Sequence, residues 1–103
     1  MTTDILEEIK IDEKIKNETH EPSKYNVIML NDDSTPMEWV IDVLKTIFKH
    51  SQKSAEQLTL TIHNDGSAVV GTYIHEIAEV KSIEAVTASR QAGFPLQVRI
   101  ELE

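Results

Sequence analysis

Apolar and polar positions alternate in patterns that divide the chain after residue 24 into six segments. Residues 25–30 carry four successive apolar side chains, which predicts a strand covered on both faces. Residues 37–48 repeat apolar side chains at helical spacing, which predicts an amphipathic helix. Thr35, followed by Pro36 and Glu38, fits the N-cap, the first position and the capping box of that helix.

A second helix is predicted to begin at Ser54, because Gln57 follows three residues later, and to end at the turn signal of residues 64–66. Its inward stripe consists of Ala55, Leu58 and Ile62. Residues 68–73 are predicted to form a second strand, since the segment is apolar and follows a turn.

The last part of the chain predicts a third helix and a third strand. The helix spans residues 75–92, with an inward face made of Ile77, Ala78, Ala85 and Ala88. Gly93 suits the end of this helix, and Pro95 prevents its continuation. Residues 96–102 alternate strictly, as in a half-buried strand. The order β-α-α-β-α-β predicts an α/β (α+β) fold, with a small three-stranded antiparallel sheet packed against three helices.

The first 24 residues differ from the rest in composition. They contain seven acidic residues, four lysines and no aromatic residue. Ile5 and Ile9, and then Ile11 and Ile15, lie four apart, but this pattern is too short to hold a lone helix in water. We therefore expect a flexible N-terminal extension over residues 1–24 and a core domain over residues 25–103. The alternative is a helix that docks on the domain.

Length, charge and cysteine content exclude several classes of function. A chain of 103 residues forms one domain at most. Its net charge of −8 argues against nucleic acid and against anionic membrane surfaces as partners. The absence of cysteine excludes disulfides, thiol chemistry and thiolate zinc sites. Without a long apolar run or a signal-peptide pattern, the expected location is the cytoplasm.

Three polar residues, Asn31, Asp32 and Asp33, stand between the first strand and the first helix. Capping and turn formation are the usual roles of such residues. Because Thr35 and Glu38 are predicted to complete the cap, some of the three can point elsewhere. A cluster of acceptors beside an apolar helix face suits a cation that carries a hydrophobic group.

His63 lies near the end of the second predicted helix, where a histidine usually interacts with the helix dipole. Together with Asp32 and Asp33 it offers one further hypothesis, a mononuclear metal site in a metal-dependent enzyme. The other three histidines show no metal-ligand spacing with it. The chain has no glycine-rich phosphate loop and no nucleophile elbow. The residues alone therefore indicate no other catalytic residue, metal site or cofactor site.

Four strings of residues resemble the ClpS adaptors of the bacterial N-degron pathway: NDDSTPMEWVIDVL at 31–44, IH at 62–63, AVVGTYIHEIAEVK at 68–81 and FPL at 94–96. The resemblance covers residues 25–103. It implies a small α/β domain behind an N-terminal tail, without catalytic activity. Such adaptors bind proteins that begin with Leu, Phe, Trp or Tyr and deliver them to the N-terminal domain of a ClpA-type unfoldase.

The resemblance also implies roles for individual residues. Asn31, Asp33 and His63 would bind the substrate's α-amino group, with Asp32 close by. The side-chain pocket would be lined by Thr35, Pro36, Met37, Val40, Ile62 and Leu96. Thr59 would stand at its rim, where the family usually has methionine. An α-ammonium offers three donors, which the amide oxygen, the carboxylate and a neutral imidazole can accept.

Glu76 and Lys81 match residues that contact the unfoldase in the family. From the residues alone, Lys81 is equally well explained as a lysine that extends from an inward position to solvent. Without the resemblance, Met37 and Val40 would be interpreted as core residues only, because they lie on the apolar stripe of the first helix. A plain protein-interaction module with the same fold, but without N-terminal recognition, is the main alternative function.

Overall fold

The computed structural model describes residues 22–103, so almost all of the predicted extension lies outside the described residues. The elements are β1 (Lys24–Leu30), α1 (Met37–Thr46), α2 (Gln52–Asp65), β2 (Ser67–Ile74), α3 (His75–Gln91) and β3 (Gln97–Leu102). The predicted fold class and element order are confirmed. Within the described range, no helix is long and apolar enough to cross a membrane.

The sheet has the antiparallel order β2-β1-β3, which places the most apolar strand in its centre. Val27 and Met29 in β1 are completely buried, as the run of apolar residues predicts. Val27 pairs with Gly71 and the next residue of β1 pairs with Val69, so Val70 is an extra residue that forms a β-bulge. The carbonyl oxygen of Val70 lies 2.6 Å from Nε2 of His50, which donates to it.

The start of α1 corrects the predicted capping box. The helix begins one residue after Pro36, which is its N-cap and makes no side-chain capping bond. A residue that precedes proline is held in an extended conformation, so Thr35 lies outside the helix. Its hydroxyl instead donates to Oδ2 of Asp32 at 2.6 Å. The cap and the box predicted at Thr35 and Glu38 are therefore wrong.

The second helix begins two residues earlier than predicted. Ser51, not Ser54, is the N-cap, and its hydroxyl accepts a hydrogen bond from the backbone N–H of Ser54. The predicted end is confirmed, because Gly66 closes the helix in the left-handed region with φ 94°. Only glycine adopts this conformation without steric cost.

The inward face of α3 is made of small residues. Ala78, Ser82, Ala85 and Ser89 are buried, and the two hydroxyls donate to the carbonyls of Ala78 and Ala85 at 2.7 Å. Small side chains let the helix lie close to the sheet. The two serines can be buried at little cost in free energy, because their hydroxyls are hydrogen-bonded. Two residues that were predicted to point inward do not, because Ile77 is 44% exposed and Ala88 is half-buried and lines a surface groove with Ile83.

The loop after α1 ends that helix tightly. Lys49 adopts a positive φ of 61°, and the N–H of His50 donates to the carbonyl of Leu44 at 3.0 Å. The bond closes the chain over the last turn of α1, and Lys49 adopts a left-handed conformation that more often falls to glycine. Nζ of Lys81 in α3 donates to the carbonyl of Ile47 at 2.8 Å, which satisfies a further C-terminal carbonyl.

Candidate functional site

A pocket of about 180 Å³ opens where β1 ends and α1 begins. Its walls come from the β1–α1 loop, the first turn of α1 and the last two turns of α2. The lining residues are Asn31, Asp32, Asp33, Thr35, Met37, Val40, Thr59, Ile62 and His63. The fold therefore brings together, in one cavity, nine residues that are up to 32 positions apart in the sequence.

The floor of the pocket belongs to the hydrophobic core. Val40 and Ile62 are 6% and 3% exposed, and both pack in the main core cluster. Met37 is 39% exposed at the start of α1 and forms the edge of the apolar surface. Val40 thus packs in the core and also faces the cavity, whereas Met37 is not buried in the core.

Thr59 lies in the floor and not at the rim. It is 3% exposed, and its hydroxyl donates to the carbonyl of Ala55, one turn earlier in α2, at 2.7 Å. The hydroxyl proton is therefore used within the helix. The expected position of Thr59 at the pocket rim is corrected by this geometry.

The carboxylate of Asp32 holds the β1–α1 loop. Its Oδ1 accepts from the backbone N–H groups of Ser34 at 2.9 Å and Thr35 at 2.8 Å, and its Oδ2 accepts from the Thr35 hydroxyl. This pattern is an Asx-type turn closed by a second side chain. Asp32 was placed beside the amine-binding residues, but its accepting capacity is largely used within the loop.

Asn31, Asp33 and His63 stand at the mouth of the pocket, where all three are exposed. The backbone N–H of Asn31 donates to the carbonyl of Gly66 at 2.9 Å, which ties the loop to the end of α2. The side chains of Asn31 and Asp33 form no hydrogen bond with another described residue. Acceptor groups with free capacity thus surround the entrance to an apolar cavity.

The geometry gives the metal hypothesis no support. In the described range, no group of three or more His, Asp or Glu side chains is placed to hold a metal ion. The proposed ligand set of Asp32, Asp33 and His63 lies around one pocket, but the Asp32 oxygens face the backbone and hydroxyl donors of the loop.

Two of the predicted pocket residues do not line the cavity. Leu96 is 1% exposed and packs in the core just before β3. Pro36 is exposed, and its carbonyl accepts the first hydrogen bond of α1 from Val40 at 3.2 Å. Leu96 supports the floor from within, and Pro36 fixes where the helix starts.

The two predicted docking residues lie on α3, outside the pocket lining. Glu76 is exposed in the first turn of the helix. Lys81 is half-buried, and besides its bond to Ile47 its ammonium lies 5.4 Å from the centre of the Tyr73 ring, within cation–π range. Lys81 therefore joins α1, β2 and α3, a role that sequence patterns did not reveal.

The loop function of Asp32 and Thr35 was also missed. An Asp followed two and three positions later by Ser and Thr, and then by proline, is the available signal for an Asx-type turn. The same four residues also fit an N-cap with proline at N1. Only the conformation imposed by Pro36 on the residue before it decides between the two.

Comparison with known proteins places these features in a family. The family model described as "ATP-dependent Clp protease adaptor protein ClpS" matches residues 20–99. The adapter protein ClpS of Treponema denticola is 47% identical over 81 residues, covering 79% of this chain and 80% of that protein. The ClpS of Sodalis glossinidius is 42% identical over 101 residues, covering 97% and 95%.

A solved structure matches the fold as well. The structure of Agrobacterium tumefaciens ClpS2 bound to L-phenylalaninamide superposes with a TM-score of 0.78 and 43% sequence identity. The match covers 81% of this chain and 100% of that one. ClpS is a family of adaptors and not of enzymes. The chain belongs to the ClpS family, the adaptors of the ATP-dependent Clp protease.

Proposed function

We propose that this adaptor binds the free α-amino group and the bulky hydrophobic first residue of substrate proteins, and delivers them in the cytoplasm to a ClpA-type unfoldase. The observation that carries the proposal is the arrangement of the pocket. Acceptor side chains surround its mouth, and buried apolar side chains form its floor. An N-terminal residue has the same arrangement, a cationic group beside an apolar side chain.

The mouth suits an ammonium ion. The Asn31 amide oxygen, the Asp33 carboxylate and a neutral His63 imidazole can each accept one of its three hydrogen bonds. A hydrogen bond to a charged group contributes about 1.5–3 kcal/mol. Asp32 acts through the loop, since its hydrogen bonds fix the positions of its neighbours Asn31 and Asp33.

The floor suits a large side chain. The volume of about 180 Å³ exceeds the roughly 150 Å³ of an engineered apolar cavity that binds benzene. Burial of a Leu or Phe side chain contributes about 1.5–3 kcal/mol. The ligand of the Agrobacterium ClpS2 structure, L-phenylalaninamide, has a free α-amino group and a benzyl side chain, which are the features we propose for the substrate here.

Delivery would use other parts of the chain. In this proposal Glu76 and Lys81 mark the surface that docks on the unfoldase, and residues 1–24 act as an extension that promotes transfer from a core of residues 25–103. Glu76 is free to contact a partner directly because it is exposed. Lys81 would act mainly by holding α3 in place, given its bond to Ile47.

The decisive experiment compares two peptides that begin with Phe and differ only in N-acetylation. Isothermal titration should detect the free peptide and lose the acetylated one, because the mouth would then face a neutral amide. Asp33→Ala should weaken binding of the free peptide by about 1–3 kcal/mol. Asp65→Ala is the matched control, since this exposed acid lies near the mouth but does not line the pocket.

Equal affinity for the two peptides would overturn amine recognition and favour a plain interaction module of the same fold. Titration with divalent metal ions tests the enzyme alternative, because the adaptor mechanism needs no metal. For delivery, removal of residues 1–20 should leave peptide affinity unchanged and slow the transfer to the unfoldase. Loss of peptide binding in that variant would make the segment part of the domain.

A further inference from the structure

The solvent side of α3 carries an apolar surface. Ile77, Val80 and Ile83 are 44%, 54% and 57% exposed and follow one another at three-residue spacing. A groove continues this surface toward the end of the helix, with Ile47, Ile83 and Ala88 as its apolar lining and Glu84, Thr87 and Gln91 as its polar lining. We call Ile77, Val80, Ile83 and this groove the outer α3 face. Contiguous exposed apolar surface is typical of interaction sites.

The chain enters the described region beside this face. Pro22 and Ser23 lie in one depression with Ile74, His75 and Glu76, at the point where β2 passes into α3. Pro22, the first residue that the structure describes, therefore lies beside the first turn of α3. The outer α3 face begins at this same turn, because its first residue is Ile77.

Residues 1–21 contain the apolar side chains that such a face requires. Apart from Met1, these are Ile5, Leu6, Ile9, Ile11 and Ile15. The seven residues from Ile15 to Pro22 reach up to about 25 Å, whereas Ile77 and Ile83 are separated by about 9 Å along the helix. The isoleucines can therefore reach the whole length of the face.

Charges are complementary when the segment runs back along α3 from Pro22. Glu79 and Glu84 flank the apolar surface, and both are exposed. Lysines at positions 10, 14 and 16 alternate with the last isoleucines and outnumber the two acids among them, Asp12 and Glu13. Residues 10–16 would therefore bring a net positive charge beside Glu79 and Glu84. Arg90 stands at the far end of the helix, where Glu7 and Glu8 would arrive.

We propose that residues 5–16 dock on the outer α3 face of the same chain. The segment then covers the helix that also carries Glu76. If the unfoldase docks on that helix, as the proposed function holds, the segment and the unfoldase compete for it. Docking of the segment itself does not depend on the proposed function, and neither does the test below.

Disulfide trapping tests the contact in the full chain, which has no cysteine of its own. The variant Ile15→Cys with Val80→Cys places one thiol in the segment and one on the face. The matched control is Ile15→Cys with Leu60→Cys, because Leu60 is 52% exposed on α2, which forms no extensive contact with α3. Leu60 is nearer to Ile15 along the chain, so random closure favours the control.

We expect the Val80 pair to close within one chain at least about tenfold faster than the control, because docking raises the effective thiol concentration. Adding Ile9→Asp and Ile11→Asp to the Val80 pair should bring its rate down to that of the control. Equal rates for the two pairs would overturn the proposal. Disulfides that join two chains in dilute solution would also overturn it and assign the face to a second copy. Trp39 fluorescence verifies that every variant is folded.

Discussion

Two adjacent aspartates in the β1–α1 loop should respond differently to the same substitution. Asp32 accepts three hydrogen bonds within the loop, whereas Asp33 accepts none from the described residues. Asp32→Ala should therefore lower both stability and peptide affinity. Asp33→Ala should lower peptide affinity alone, because its carboxylate is available for the substrate's ammonium.

The size of the effect follows from the donors that lose their partner. The N–H and the hydroxyl of Thr35 are half-buried, and the N–H of Ser34 is exposed to water. Hydrogen bonds to a carboxylate contribute about 1.5–3 kcal/mol each, and water can replace the exposed one. We expect Asp32→Ala to reduce the free energy of unfolding by about 2–3 kcal/mol. An exposed residue such as Asp33 should change it by less than about 0.5 kcal/mol.

Urea unfolding followed by the fluorescence of Trp39, the only tryptophan, measures the stability of both variants. Its indole N–H donates to the Ser89 hydroxyl at 2.8 Å, so its environment changes on unfolding. Titration with a Phe-initiated peptide then gives the affinities. Asp32→Asn is the graded control, because its amide oxygen retains the two backbone hydrogen bonds. Equal destabilisation by both alanine variants, or none by Asp32→Ala, would refute the assigned roles.

Three further variants test other parts of the molecule. Lys81→Met should lower the free energy of unfolding by about 1–2 kcal/mol, because the bond to the Ile47 carbonyl is lost. Glu76→Gln should leave the free energy of unfolding unchanged. Equal urea midpoints for Lys81→Met and Glu76→Gln would contradict the expected difference between the two variants. Thr59→Met should fill part of the pocket floor and reduce affinity for Trp-initiated peptides more than for Leu-initiated ones. If the ratio of the affinities for Trp- and Leu-initiated peptides is unchanged, residue 59 does not contact the bound side chain. Burial raises the pKa of the Tyr73 phenol above 10.0, so the contribution of Tyr73 to stability should be constant below pH 10 and fall as the pH rises above 10. Tyr73→Phe should remove this fall, and a fall that persists would come from another group.

The periodicity of apolar residues was sufficient to predict the six elements and their order. The central position of β1 follows from its continuous apolar run. The orientation of α3 was harder to predict, because Ser82 and Ser89 are buried as satisfied hydroxyls while Ile77 is exposed. Counting only apolar residues therefore included Ile77 in the inward face and left out the two buried serines.

The candidate site was predictable only in part. A turn and a cap use the same residue types, so local sequence could not assign the carboxylate of Asp32 to Thr35. The contact between Lys81 and Ile47 joins residues that are 34 positions apart, and no local pattern encodes it. The positions of Asn31 and His63 around one cavity were expected from the family resemblance and not from periodicity.

The floor of the pocket has a consequence for how this adaptor can diversify. Val40 and Ile62 pack against the sheet with one part of their surface and face the cavity with another. A substitution that reshapes the cavity therefore also perturbs folding, so the side chains that the pocket can accept cannot change independently of the core. Ile77, Val80 and Ile83 on α3, by contrast, are exposed and lie outside the core cluster. Over evolutionary time, the docking surface that we propose there can therefore change faster than the shape of the pocket.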